Sequence, residues 1–115
     1  MKTIIAGSRE ITDYAVLLQA IKGCPFPITS VVSGCARGVD TLGEQYAQEN
    51  NLKLYKFPAD WSTYGKRAGY IRNAEMADNA EALLAVWDGN SRGTKHMINT
   101  AIQKGMEVHI YMYRK

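Results

Sequence analysis

Short apolar runs alternate with segments of helical period along the chain. Residues 3–6, 29–33, 52–57 and 82–87 form apolar or β-branched runs, which predict short strands buried on both faces of a sheet. Residues 107–113 instead alternate, with Val108, Ile110 and Met112 on one side and more polar residues on the other. This alternation predicts an edge strand with one wetter face.

The segments between these runs have helical spacing and contain start and stop signals. Thr12 or Asp13 is expected to cap the first helix, and Gly23 to end it. A later helix is predicted over residues 72–82, which are rich in alanine. Residues 58–70 have no clear period and contain several turn-forming residues, so we expect a long functional loop there.

Strands that alternate with helices of this length imply right-handed crossovers and a parallel sheet. The predicted fold class is α/β: a three-layer Rossmann-like domain with a mainly parallel sheet of about five strands flanked by helices. At 115 residues the chain fits a single domain, residues 1–115. Ligands of such sheets bind beyond the carboxyl ends of the strands, so the loops that follow the strands should converge on one site.

Composition and charge narrow the classes of partner. The formal charge of +3 is too small to indicate a nucleic-acid partner, and no segment is long and apolar enough to span a membrane. Residues 1–6 lead into a strand pattern without a signal peptide, so we expect a cytoplasmic protein. The two cysteines, Cys24 and Cys35, form no disulfide framework and fit a reducing compartment. His96 and His109 lack metal-ligand spacing, so neither a metal nor a cofactor is expected.

The segment 87–94, WDGNSRGT, is a candidate for anion binding. It follows a buried strand and opens a helix that is expected to run from Thr94 to a stop at Gly105, so backbone N–H groups and the positive helix end face one point. Gly89 and Gly93 allow a tight turn and the close approach of a ligand, and Arg92 supplies a guanidinium suited to phosphate. The same residues also fit an ordinary helix cap, and this segment alone leaves both interpretations open.

Five motifs carry a family resemblance when they are taken in order: GSRE at 7–10, VVSGCARGVD at 31–40, FPADW at 57–61, GKRAGYIRNAEM at 65–76 and WDGNSRGT at 87–94. Together they resemble the YspA-like branch of the SLOG superfamily, which groups the cytokinin-activating LOG phosphoribohydrolases with the DNA-processing protein DprA. The resemblance implies a Rossmann-like fold and a pocket for a nucleotide or a nucleotide-derived molecule. It implies no single chemistry, because the superfamily contains enzymes, sensors and DNA-binding proteins.

The resemblance also places individual residues. The SRGT turn lies where LOG enzymes have a glycine-rich phosphate loop, and Arg72 lies where they have an arginine ahead of a methionine-bearing helix. LOG enzymes carry a glutamate three residues after the threonine of that loop, and this chain has Met97 there. Because a thioether cannot activate water or stabilise an oxocarbenium ion, LOG-type hydrolysis needs another carboxylate here. Cys35 stands where this branch usually has glycine.

The leading hypothesis is binding of a nucleotide or nucleotide-derived ligand, as a sensor or sequestering module. The alternative is an N-glycosidic phosphoribohydrolase that acts on nucleoside 5′-monophosphates, and whether the chain is an enzyme stays open. The catalytic candidates are Arg72 on the phosphate, with Asp60, Glu44 or Asp40 near the ribose. Asp40 alternatively caps the second crossover helix, and Trp61 either stacks on a base or packs the loop down.

The ligand-binding candidates lie in the loops and helix starts that should converge. They are Gly7, Ser8, Arg9, Ser33, Gly34, Arg37, Gly38, Trp61, Lys66, Arg67, Asn73, Asp88, Gly89, Ser91, Arg92, Gly93 and Thr94. The expected partner is a small molecule, with no membrane and no nucleic acid. The family resemblance and the aromatic residues Trp61, Tyr64 and Tyr70 favour a homo-oligomer.

Overall fold

The computed structural model describes residues 1–114. Its strands are β1 Lys2–Gly7, β2 Ser30–Ser33, β3 Lys53–Lys56, β4 Ala82–Trp87 and β5 Glu107–Met112. Its helices are α1 Tyr14–Lys22, α2 Val39–Glu49, α3 Trp61–Tyr64, α4 Ala68–Asp78 and α5 Arg92–Gln103. All strand pairs are parallel, in the order β3-β2-β1-β4-β5. This arrangement, with helices on both faces of the sheet, confirms the predicted three-layer Rossmann-like α/β fold.

Each face of the sheet has its own apolar core, because successive side chains of a strand point to opposite faces. Ile5 and Leu84 pack with residues of α1 and α2 on one face. Ile4 and Leu83 pack with residues of α4 and α5 on the other. The central strands β1 and β4 are therefore covered on both sides, which explains their nearly continuous apolar sequences.

The strand order reverses between β1 and β4. From β1 the chain moves outward to β2 and β3, then returns to place β4 on the other side of β1. Gly7 pairs with Val86 where these two strands end, and a Cβ on Gly7 would lie 2.0 Å from the Val86 carbonyl oxygen. The missing side chain lets the two backbones run side by side at this point.

The ends of α1 follow the signals in the sequence. The Asp13 side chain accepts a hydrogen bond of 3.0 Å from the Ala15 amide, and Gly23 is the C-terminal cap, as predicted. The last helix begins at Arg92 with Ser91 as its cap, ahead of the expected start at Thr94. Over residues 1–114, none of the helices has the length and apolar character that crossing a membrane requires.

The prediction of a continuous loop over residues 58–70 is wrong. Asp60 caps the short α3, a 3-10 turn spans Gly65–Arg67, and α4 begins directly afterwards. The turn-forming residue Gly65, with a φ of 59°, separates two helices and does not mark a loop. The helix expected over residues 72–82 therefore lies at Ala68–Asp78, and Asn79 ends it.

The edge position of β5 is confirmed, but the buried side of this strand was predicted wrongly. Val108 packs against the core beneath α4 and α5, whereas Ile110 and Met112 on the same side are 39% and 50% exposed. Tyr111 points to the other face and packs against that core. The helices leave the second half of β5 uncovered, which the alternation of the sequence does not reveal.

Candidate functional site

A cavity of about 330 Å³ lies beyond the carboxyl ends of β1 and β4, where the strand order reverses. The segments that follow β1, β2, β3 and β4 all contribute residues to its wall, as expected, and so does α4. The lining residues are Ala6, Gly7, Arg9, Ala36, Asp40, Trp61, Lys66, Gly69, Tyr70, Arg72, Asn73, Met76, Ser91, Gly93, Thr94 and Met97. Its volume falls within the range of small-molecule pockets.

Asp40 provides the one carboxylate among these lining residues. Its side chain is 5% exposed, and Oδ2 accepts a 3.1 Å hydrogen bond from the Ala36 amide. Burial raises the pKa of Asp40 to about 6, although the Ala36 amide and the Arg72 guanidinium oppose the rise. The cap of α2 is Gly38, so of the two roles left open for Asp40 the helix-capping one is wrong: the carboxylate accepts from the Ala36 amide in the preceding loop and lines the cavity.

Arg72 is held in place by neighbouring acceptors. Its Nη1 donates to the Gly34 carbonyl oxygen, and its Nε donates to Asn73 Oδ1 at 3.0 Å. Burial lowers the pKa of Arg72, and the nearby Asp40 opposes this effect. The guanidinium is therefore fixed between the loop after β2 and the cavity, where it can meet an anion without first being ordered.

The orientation of the Asn73 amide determines the protonation of His96. Arg72 Nε can only donate and the Gly93 carbonyl can only accept, so Asn73 Oδ1 faces Arg72 and Nδ2 faces Gly93 at 3.3 Å. The same Nδ2 lies 3.1 Å from His96 Nδ1, which must therefore be an acceptor. An accepting Nδ1 fits the neutral imidazole with its proton on Nε2, and burial shifts the pKa of His96 in the same direction, below its ordinary value.

The turn before α5 uses several of its own donors. Asp88 Oδ1 accepts from the amides of Asn90 and Ser91 at 2.7 and 2.9 Å, and these bonds lower the pKa of Asp88. Ser91 Oγ accepts from the Thr94 amide at 3.4 Å and lies 3.0 Å from the Thr94 hydroxyl. The segment is thus a capped helix start that also lines the cavity.

The mouth of the cavity carries cationic and aromatic side chains. Arg9, Lys66, Trp61 and Tyr70 are all exposed and all line the cavity. The Tyr70 ring lies 4.3 Å from the His96 ring, centroid to centroid, which ties α4 to α5 at this side of the mouth. The lining also includes the buried side chains of Met76 and Met97, so Met97 is an apolar surface of the cavity.

The two other carboxylates proposed for catalysis do not line the cavity. Asp60 is exposed and caps α3, and its hydrogen bonds with Thr63 and Ser62 lower its pKa. Glu44 accepts a 2.7 Å hydrogen bond from Ser33 Oγ and lies 3.6 Å from Lys56 Nζ. Asp60 and Glu44 therefore make contacts that hold local structure together.

Other predicted ligand residues also have structural roles. Ser8 is buried and its Oγ accepts from the Asp88 amide at 3.0 Å, and a Cβ on Gly38 would lie 2.5 Å from the Ser8 carbonyl oxygen. Arg37 pairs with Glu10 at 3.2 Å on the surface, and together with Gly34 it lines an adjoining cavity. Arg67, Arg92, Gly89 and Ser33 lie outside the wall of the first cavity. Within residues 1–114, no three His, Cys, Asp or Glu side chains are grouped to hold a metal ion.

Comparison with known proteins identifies the family. The family model described as YspA, cpYpsA-related SLOG family matches residues 1–64, more than half of the chain. The chain belongs to this SLOG family. The Gene 61 protein of Mycobacterium phage D29 is 34% identical to this chain over an alignment 117 positions long, and the alignment covers 93% of each protein. No solved structure matches the chain at a significant level.

The family match ends before much of the cavity wall begins. Arg72, Asn73 and the start of α5 lie beyond residue 64, whereas Arg9 and Asp40 lie within the matched part of this SLOG chain. The contacts of His96 with Asn73 and Tyr70, two residues that line the cavity, could not be predicted, because these partners are on another helix. Nothing in the spacing of these residues along the sequence links them.

Proposed function

We propose that this SLOG protein binds a nucleotide or a nucleotide-derived small molecule in the cavity between the ends of β1 and β4. The observation that carries the proposal is the charge of the cavity wall: Arg9, Lys66 and Arg72 surround a single carboxylate, Asp40. Three cations against one anion favour an anionic ligand, and arginine binds phosphate through paired hydrogen bonds.

The first turn of α5 supports a phosphate position beside these cations. Within residues 1–114 the amides of Arg92 and Gly93 have no hydrogen-bond partner, unlike those of Asn90, Ser91 and Thr94. The helix is long enough to present a positive end, and Gly93 leaves its surroundings open to a ligand. A phosphate placed here would also be in reach of the Thr94 side of the cavity wall.

The remaining wall suits a nucleoside. Trp61 and Tyr70 offer aromatic faces for a base, and Met76 and Met97 supply an apolar surface. Asp40 can accept hydrogen bonds from ribose hydroxyl groups when it is ionised. The cavity thus combines cationic, aromatic and acceptor groups that match the three parts of a nucleotide.

Isothermal titration of the purified protein with the common nucleoside 5′-monophosphates and diphosphates tests the proposal. At least one should bind, and Arg9→Gln should weaken that binding by about tenfold, because one charged hydrogen-bonding group is lost. The matched control is Arg67→Gln, since Arg67 is exposed nearby but does not line the cavity. A folded protein that binds no member of the panel would refute the proposal.

Asp40 supports a second candidate function, N-glycosidic hydrolysis of a nucleoside 5′-monophosphate. A buried carboxyl that faces the cavity with a pKa of about 6 is suited to act as a general base near neutral pH. It would take a proton from water as the water attacks the anomeric carbon, and the glycosidic bond would break with its electron pair going to the base. The departing base would take up a proton from solvent, and Asp40 would return its own proton to solvent, which gives the free base and ribose 5-phosphate. Glu44 and Asp60 do not line the cavity, so Asp40 is the preferred carboxylate.

Chromatographic detection of free base after incubation with each monophosphate tests the hydrolase. Release should fall as the pH drops below about 6, because Asp40 becomes protonated there. The Asp40→Asn variant should release no base while it still binds the nucleotide. If the wild-type protein binds a monophosphate and leaves it intact at pH 7 to 8, this function is excluded and the binding function stands.

A further inference from the structure

Three side chains form a continuous row of polar contacts between α4 and α5. Arg72 Nε donates to Asn73 Oδ1 at 3.0 Å, and Asn73 Nδ2 lies 3.1 Å from His96 Nδ1. We call Arg72, Asn73 and His96 the relay. Arg72 and Asn73 line the cavity, whereas His96 lies outside its wall. Through Asn73, His96 is therefore connected to a guanidinium group of the site.

The Asn73 amide, in the middle of the relay, is buried and fully used. Asn73 is 5% exposed. Its Oδ1 accepts from Arg72, while Nδ2 donates to the Gly93 carbonyl oxygen at 3.3 Å and to His96 Nδ1. A buried amide is held in one orientation when both of its N–H groups and its oxygen have partners. Loss of the acceptor on His96 would leave one buried N–H unpaired and weaken that orientation.

Protonation of His96 reverses what this residue asks of Asn73. Both nitrogens of an imidazolium are donors, so Nδ1–H would face the N–H groups of Asn73. Rotating the amide by half a turn would bring its oxygen to His96, but its N–H groups would then face Arg72 Nε, which is also a donor. A charged His96 and the hydrogen bond between Arg72 and Asn73 therefore oppose each other.

The surroundings of His96 leave this reversal to the imidazole itself. From α4, Tyr70 is the titratable side chain whose ring faces His96, at 4.3 Å between centroids. Burial lowers the pKa of His96 below its ordinary value of 6.5, so the ring takes up its proton in acidic solution. The other charged or titratable groups on α5 and on the elements packed against it are engaged or placed elsewhere: Lys2 lies over the Tyr55 ring, Asp78 pairs with Lys104, Glu75, Arg92 and Lys95 are exposed, and Glu107, His109 and Tyr111 alternate with Val108 and so are on the other face of β5.

We propose that His96 is a positioning residue for the anion site. Its neutral imidazole holds the Asn73 amide, and through it Arg72, in the orientation that meets an anion, and its protonation releases both. Acid should therefore weaken this anion site through His96, whereas protonation of Asp40 removes a negative charge from the wall and acts in the opposite direction. The effect on binding rests on the proposed function, but the relay is a property of the free protein.

NMR of the free protein between pH 7 and pH 4.5 tests the relay. The Nε–H signal of Arg72 and the side-chain amide signals of Asn73 should shift with the same midpoint as the ring signals of His96. In His96→Asn the side-chain oxygen replaces Nδ1 as an acceptor that does not titrate, so this step should vanish, and a step caused by Asp40 should remain in both proteins.

The matched control is His109→Gln, which removes the other histidine of the chain and should leave the step unchanged. The relay is overturned if the Arg72 and Asn73 signals follow Asp40 alone, or if the step persists in His96→Asn.

Titration with sulfate measures the consequence at the anion site, because the charge of sulfate does not change in this pH range. Wild type and His96→Asn should bind sulfate equally at pH 7. At pH 4.5 the wild type should bind about fivefold more weakly than His96→Asn, since one charged hydrogen-bonding group has lost its orientation. His96→Phe keeps a ring against Tyr70 but has no acceptor, so it should bind more weakly than His96→Asn at both pH values.

Equal sulfate affinity of wild type and His96→Asn at pH 4.5 would refute the positioning role. If none of these proteins binds sulfate at pH 7, the anion site of the proposed function fails, and the NMR midpoints still decide whether the relay exists.

Discussion

The loop after β2, residues 33–40, and the segment after β3, residues 58–70, form opposite walls of the same site but are built differently. We call them the floor and the roof. In the floor, Ser33, Gly34, Gly38 and Asp40 are buried. The roof is exposed nearly throughout, and its helix α3 contains no buried residue.

The hydrogen bonds of the two walls explain this contrast. The floor is fixed by contacts to other elements: Ser33 to Glu44 of α2, and Gly34 to Arg72 of α4. The roof is held mainly by local bonds, such as those of Asp60 with Thr63 and Ser62. A change in the floor should therefore act mainly on stability, whereas the loss of a side chain from the roof should act mainly on ligand affinity.

The largest expected difference lies between Gly38→Ala in the floor and Gly65→Ala in the roof. Both glycines have a backbone conformation that other residues avoid, with φ and ψ of 77° and −129° and of 59° and −133°. A Cβ added to Gly38 would lie 2.5 to 2.6 Å from backbone atoms of Ser8 and Arg9, whereas a Cβ added to Gly65 would have no atom within 4 Å. We expect the free energy of unfolding to fall by about 3 to 4 kcal/mol in Gly38→Ala and by about 1 to 2 kcal/mol in Gly65→Ala.

Urea denaturation followed by circular dichroism measures both losses. Both glycines have the strained backbone conformation, so the difference between the two losses in free energy of unfolding measures the close contact of Gly38 with the loop after β1. Equal losses in the two variants would show that the floor is no more tightly packed than the roof.

The next effect concerns the pH dependence of stability that Asp40 causes. Its pKa in the folded protein, about 6, lies above its usual value near 3.8, so the folded state binds the proton more tightly. The stability of the wild type should therefore fall as the pH rises from 4 to 6 and stay lowered above that range. Asp40→Asn lacks this loss, so its stability relative to the wild type should rise by about 2 to 3 kcal/mol between pH 4 and pH 7.

Urea denaturation of the wild type and Asp40→Asn at pH 4, 5 and 7 isolates this contribution, because all other titrating groups are common to both proteins. Asn can still accept the hydrogen bond from the Ala36 amide through its side-chain oxygen. Parallel pH profiles for the two proteins would contradict a raised pKa for Asp40.

In the roof, Trp61→Ala should affect ligand binding and not stability. The Trp61 side chain lines both cavities and is 52% exposed, so its removal costs little packing but takes away an aromatic surface for a base. We expect nucleotide affinity to fall by about tenfold and the free energy of unfolding to change by less than about 0.5 kcal/mol. Tyr64→Ala is the control, since Tyr64 is 43% exposed on the same helix and lines neither cavity.

The smallest effect is expected at Cys35 of the floor. Cys35 has a φ of 63°, in the left-handed region that favours glycine. Replacing it by glycine should relieve this strain and raise the free energy of unfolding by about 0.5 to 1 kcal/mol, after the greater entropy of glycine in the unfolded chain is deducted. A thermal melt measures the gain.

The sequence predicted the fold from local patterns and the site from the topology that these patterns imply. Apolar runs located the strands, and the rule for parallel sheets brought Arg9, Asp40 and Thr94 to one edge. The roof was misread because α3 is too short to show a period and Gly65 resembles a loop residue. The pairing of Asn73 with His96 was inaccessible, because it depends on how α4 packs against α5.

The roles of the carboxylates could not be ranked from sequence either. Asp40, Glu44 and Asp60 all carry a carboxylate, and only their burial and orientation in the folded protein distinguish their roles. Asp40 faces the cavity, Glu44 accepts from Ser33 and pairs with Lys56, and Asp60 caps α3. Likewise, Cys35 has a positive φ, a backbone conformation that favours glycine, and the residue type alone does not show it.

The hydrogen bond between Ser8 and Asp88 has a consequence for the order of events during folding. These residues are 80 positions apart, and they join the two strands between which the cavity forms. Residues up to Asp88 must be synthesised and clear of the ribosome before β4 can insert beside β1, so a shorter nascent chain has no early form of the cavity. Pairing of β4 with β1 closes a long loop, which is entropically costly and disfavours fast folding, and the cavity forms only after this closure.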